Sequence, residues 1–122
     1  MISKEAQDRI ALAVEEEITA AISKHGQFRN QHEAWAVLQE EIDEVIDASA
    51  VFGNTVADAM AEIWELVKQD KLPDKELEEN PLWQIFGKAL NLACECVQVA
   101  AMCDKYNLLI SEEREEHETN NH

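Results

Sequence analysis

The chain has 122 residues and a formal net charge of −16, from 26 acidic and 10 basic side chains. A surface of that sign is repelled by phosphate backbones and anionic lipid, which sets aside general nucleic-acid and membrane-surface binding. A nucleoside triphosphate stays open as a ligand, because Mg²⁺ can bridge acidic side chains and phosphate.

The length suits one domain, and 46% apolar residues supply a core. Three glycines and two prolines leave little turn material, so the expected class is all-α. A first helix is expected over 3–24, with Ser3 as its cap and Ile10, Val14, Ile18, Ala21 and Ile22 as its apolar stripe. Gly26 ends it. A second helix, over 30–50, carries Ala34, Trp35, Leu38, Ile42 and Val45. Gly53-Asn54 is read as a break. A third helix follows over 55–69, with Val56, Met60, Ile63, Trp64 and Val67 in one row. Asp70 to Glu79 is polar, contains Pro73 and reads as a loop. Asn80-Pro81 is a cap followed by proline at the first helical position, and opens a fourth helix to about Tyr106. The tail from Ser111 is charged and expected to be disordered. The resulting architecture is an antiparallel four-helix bundle over 1–110, with an acidic tail over 111–122. Four short helices make a thin core with apolar stripes left over, so a homodimer or homotetramer is expected.

Cys94, Cys96 and Cys103 share one helix and have no histidine near them for a zinc site. They read as small buried hydrophobes in a reducing cytoplasm. No signal peptide is seen, and the helix over 82–107 reads as too polar to cross a membrane.

The chemistry is concentrated in carboxylates that interrupt apolar faces. From Ala89 to Tyr106 the chain reads ALNLACECVQVAAMCDKY, and Glu95 is the only charge before the last three residues. A buried carboxylate is costly unless a proton, a cation or a metal neutralises it. Lys88, Asn91, Glu95, Gln98, Met102 and Lys105 form one stripe of that helix, acid in the middle and lysine at both ends. On the second helix Val37, Glu41 and Val45 stack at four-residue spacing, so Glu41 interrupts an apolar row, and Glu44 lies one turn on. Two glutamates three apart can share one hard cation. The plainer reading of each acid is surface charge or a salt bridge. Glu62 and Glu65 are a rival pair, set aside because they lie beside a polar face.

Trp35 to Asp47, WAVLQEEIDEVID, after His32-Glu33, resembles the first half of the signature of MazG-like all-α nucleoside triphosphate pyrophosphohydrolases. Glu40, Glu41 and Glu44 match its EExxE motif. Leu92 to Lys105, LACECVQVAAMCDK, resembles the later helix of phage-type and Firmicute-type members. The resemblance covers about residues 25 to 107. Many members close the site with ExxD, whereas here Glu95 is followed by Gln98. The resemblance implies cleavage of a (d)NTP to (d)NMP and pyrophosphate with Mg²⁺, or Mn²⁺ in its place. It implies metal ligation by Glu41, Glu44 and Glu95 with Gln98 as a weak ligand, and Glu41 or Glu40 in the catalytic step, Glu40 as general base. Lys88 and Lys105 would take phosphate charge. His32 and Trp35 are assigned to the base, against the blander reading of a helix-start histidine and a core tryptophan. The alternative function is a catalytically inactive nucleotide- or metal-binding module, or an acidic helical interaction protein.

Overall fold

The computed structural model describes residues 1–76 and 78–120, with side chains except those of 113 and 116–120, and every regular element among them is a helix. There are three: α1 over Lys4–His25, α2 over Gln31–Lys68 and α3 over Pro81–Asn120. The start of α1 follows its cap, since Ser3 Oγ accepts from the Ala6 amide at 3.1 Å. Gly26 closes it at φ 75°, a conformation that suits glycine, and its amide donates to the Ile22 carbonyl at 2.7 Å. Asn30 Oδ1 accepts from the Glu33 amide at the start of α2.

The expected break at Gly53-Asn54 is absent, so the described residues form three helices rather than four. The reason is a half-buried row that runs through the glycine at helical spacing: Ala48, Phe52, Thr55, Ala59, Ile63 and Leu66. One glycine costs a helix only about 1 kcal/mol, less than that row gains by staying on one face. A Cβ at Gly53 would meet nothing within 4 Å. Gly53→Ala is therefore expected to stabilise the protein by roughly 0.5–1 kcal/mol in urea unfolding. A turn at this point would give the opposite sign.

The start of α3 follows the expectation. Buried Asn80 accepts from the Leu82 amide at 2.9 Å, and Pro81 occupies the first helical position. Asn80→Ala is expected to cost about 1 kcal/mol, and an unchanged denaturation midpoint would show that the cap contributes nothing. At its other end α3 continues to Asn120, through residues expected to be disordered; 121 and 122 lie outside the described residues. Ser111 Oγ bonds back to the Asn107 carbonyl, and glutamate and arginine sustain a helix.

By packing, the chain divides into two compact units, Met1–Asp43 with the chain from Cys96 onward, and Glu44–Glu95. In the first, Phe28, Ala34, Ala101, Met102 and Leu109 form the core, with Val14, Ile18, Ala21, Val37, Leu38 and Tyr106 against it. In the second, Ala59 is buried, Trp83 and Phe86 meet edge to face at 5.5 Å, and Trp83 Nε1 donates to the Lys75 carbonyl.

Several residues expected in a core are not there. Trp35 is 61% exposed and Trp64 58%, with Met60 and Val67 open beside Trp64. All three cysteines are exposed rather than buried. The tryptophans lie on α2 and the cysteines on α3, and on both helices the chain has more apolar face than its own neighbours cover. The same composition corrects a second expectation. The stretch Pro81–Glu112 is long and apolar enough to cross a membrane, a property that core helices of soluble proteins share. Glu95, mid-stretch, would add about 3 kcal/mol to any insertion.

Candidate acidic site and ligand cleft

Glu44 comes from α2 and Glu95 from α3, and within the second unit their carboxylate oxygens lie within 4.8 Å of each other. Glu41 precedes Glu44 by three residues on the same helix, α2. Glu95 is half-buried, and its Oε2 is buried with no donor to satisfy it. Two carboxylates this close repel unless a proton or a cation sits between them. Burial, followed by the hydrogen bond and like charge of Glu44, pushes the Glu95 carboxyl above the usual carboxylate range. The donor set is all hard oxygen, which suits Mg²⁺ or Mn²⁺ and excludes a soft thiolate site.

A second feature lies wholly in the first unit. A cleft of about 730 Å³ is lined on its apolar side by Phe28, Val37 and Met102, and on its polar side by Glu17, Lys24, Arg29, Glu41, Gln98 and Lys105. Lys105 is only 4% exposed, and its ammonium sits 4.2 Å from the centre of the Phe28 ring. Arg29 Nε donates to Glu33 at 2.8 Å, and this bond, above all, holds the Glu33 carboxyl below its usual range. Gln98 does not stand free as expected of a metal ligand: its Nε2 donates to Glu17 Oε1 at 2.9 Å, leaving Oε1 as its remaining acceptor.

The structure thus gathers some of the expected residues and separates others. Gln98, Glu41 and Lys105 share the cleft. Lys88 instead lines a recess of the second unit with Thr55, Trp83 and Asn91. His32 and Trp35 line a shallow recess with Gln31 and Tyr106, outside the cleft. Glu40 is exposed and is not among the cleft-lining residues.

Sequence reasoning overlooked Glu17, Lys24 and Phe28. The signal for Glu17 was present: it lies seven residues after Ile10, three after Val14 and four before Ala21, so it interrupts the stripe of α1 as Glu41 interrupts that of α2. Phe28 follows the helix-ending glycine and belongs to no periodic pattern, so nothing local marked it.

Comparison with known proteins finds no matching family model, no matching curated protein and no matching solved structure.

Proposed function

We propose that the protein is a Mg²⁺-dependent nucleotide pyrophosphohydrolase of MazG-like type, cleaving a (d)NTP to (d)NMP and pyrophosphate. The observation that carries this reading is the close approach of Glu44 and Glu95, with Glu41 one turn away on the helix of Glu44. The EExxE and ECVQVAAM resemblances support it. Glu41, Glu44 and Glu95 would hold the ion, with Gln98 Oε1 as a further oxygen. Bound there, Mg²⁺ would neutralise phosphate charge and acidify a coordinated water. Glu40 accepts the proton of the attacking water, whose oxygen bonds to phosphorus as the α–β bridging P–O bond breaks. Lys105 takes phosphate charge in the cleft, and Lys88 in its own recess. His32 and Trp35 would receive the base. The setting is cytoplasmic.

The test is a full nucleotide panel with Mg²⁺ and Mn²⁺, read as monophosphate and pyrophosphate formed. No turnover on any nucleotide would end the hydrolase reading. One observation favours a second reading, an inactive binding module: Gln98 stands where many members have aspartate, and it is tied to Glu17. Calorimetric binding of Mg²⁺ and a non-hydrolysable analogue, without turnover, would select it.

The open row of Met60, Trp64 and Val67 supports a homodimer or homotetramer in which a second copy covers it. Light scattering is expected to give a multiple of 13.9 kDa, falling on Trp64→Lys. A native mass of one chain would refute this.

A further inference from the structure

We infer that a recess of the second unit, beside Trp83, binds an uncharged planar ring with a hydrogen-bonding edge, the chemical type of a nucleobase. The recess is about 430 Å³, within the range of small-molecule sites. Thr55 lines it from α2, and Trp83, Gln84, Gly87, Lys88 and Asn91 line it from α3. Trp83 is held from two sides. Its Nε1 donates to the Lys75 carbonyl at 3.2 Å, and its ring meets Phe86 edge to face at 5.5 Å. It is nonetheless 48% exposed. With the indole N–H committed, what Trp83 offers a ligand is ring surface, and flat rings stack on such a surface.

Gly87 leaves room for that ring. Glycine weakens a helix interior relative to alanine, and a Cβ at 87 would have no packing neighbour within 4 Å. Close packing therefore does not call for glycine here; a side chain would instead occupy the recess. The polar groups define the edge of the ligand. The Asn91 amide and the Thr55 hydroxyl have no hydrogen-bond partner among the described residues. Gln84 gives one N–H to the Glu79 carbonyl at 3.4 Å, which leaves its Oε1 and second N–H. A side-chain amide presents a donor beside an acceptor, the pattern that pairs with the edge of a base. No carboxylate lines the recess, in a chain with 26 acidic side chains, so it suits neither a metal ion nor an organic cation. The inference goes beyond the hydrolase reading. It needs no metal, no phosphate and no turnover, and it concerns the second unit, whereas His32 and Trp35 belong to the first.

The test is titration of adenosine, inosine, cytidine and uridine into the full chain at pH 7.5 in EDTA, read by the indole and amide signals in NMR. The Trp83 indole signal is assigned by its loss in Trp83→Phe. At least one nucleoside is expected to shift it saturably, together with the Gly87 and Asn91 amides. Trp83→Leu should weaken binding at least ~tenfold. Gly87→Met, which places a good helix former at 87 and fills the recess, should do the same without lowering the melting temperature. Asn91→Leu should cost a few-fold, and Lys88→Met should stay within about twofold, since a nucleoside has no charge for it to meet. Benzyl alcohol, a ring without the polar edge, should bind ~tenfold less well. No saturable shift with any of the four at about 5 mM, shifts at Trp35 in place of Trp83, equal binding of benzyl alcohol, or indifference to both Trp83→Leu and Gly87→Met would overturn the inference. Turnover of a triphosphate without nucleoside binding at Trp83 refutes this inference alone, and binding at Trp83 without turnover refutes the hydrolase alone.

Discussion

Glu95→Gln is expected to reduce Mg²⁺-dependent (d)NTP turnover by about 10²–10³-fold or more, the scale on which loss of one charge-stabilising group acts. Glutamine keeps the length and shape of the side chain and removes only the negative charge, so the helix and its packing stay as they are. The carboxylate partner, Glu44, then loses the repulsion that makes a cation favourable at this point. Glu41→Gln and Glu44→Gln should act in the same direction. Glu62→Gln and Glu65→Gln serve as controls, because both residues are exposed and Glu65 is occupied by Lys68. Equal losses at Glu62 and Glu95 would show that total charge, and not a site, controls the rate. An active Glu95→Gln enzyme would remove the acidic pair from the chemistry altogether.

Glu95 and Glu41 were legible because burial of charge is a one-dimensional signal as well as a three-dimensional one. Glu95 stands alone in an apolar run, and Glu41 breaks a four-residue spacing, so both could be picked out with no contact known. Helix class and these helix ends were legible for a similar reason: Ser3, Gly26 and Asn80-Pro81 act on backbone groups within a turn of themselves. The break at Gly53-Asn54 was misread because a local propensity was weighed without the row on either side of it. Ala48 to Leu66 keeps one face across the glycine, and that gain is invisible to a residue-by-residue reading. The cleft was hidden for another reason. It needs Lys24 and Phe28 to meet Lys105, about 80 positions further along, and no spacing rule connects them. Burial of Trp35 and the cysteines was assumed from residue type, which fails when one chain has more apolar face than it can cover.

Stability in EDTA is expected to fall as pH rises through the Glu95 range, and Mg²⁺ is expected to restore it. The direction follows from proton uptake. The folded-state pKa of Glu95 lies above its ordinary value, so the folded protein holds a proton that the unfolded chain has released. Below the ordinary carboxylate range both states are protonated and Glu95 has no effect. Between the ordinary and the raised value stability declines, and above the raised value the full penalty is present. Glu33 acts in the opposite sense: its pKa is lowered, so its contribution is present above the ordinary value and is lost as pH falls through the folded one. The two effects therefore occupy different sides of the ordinary carboxylate pKa and can be read separately in a series of melting temperatures from pH 3 to 8. Above the raised value, an ion held by Glu44 and Glu95 replaces the missing proton. At an Mg²⁺ concentration of 100 times Kd this adds about 2.7 kcal/mol, and the gain shrinks as the pH is lowered and protons compete. Glu95→Gln should remove both the decline and the gain, and at pH 8 without metal it should melt above the native protein. Calorimetry in two buffers of different ionisation enthalpy should detect proton release on Mg²⁺ addition near the raised pKa. An Mg²⁺ increment that survives in Glu95→Gln, or one that does not vary with pH, would place the ion among the ordinary surface carboxylates instead.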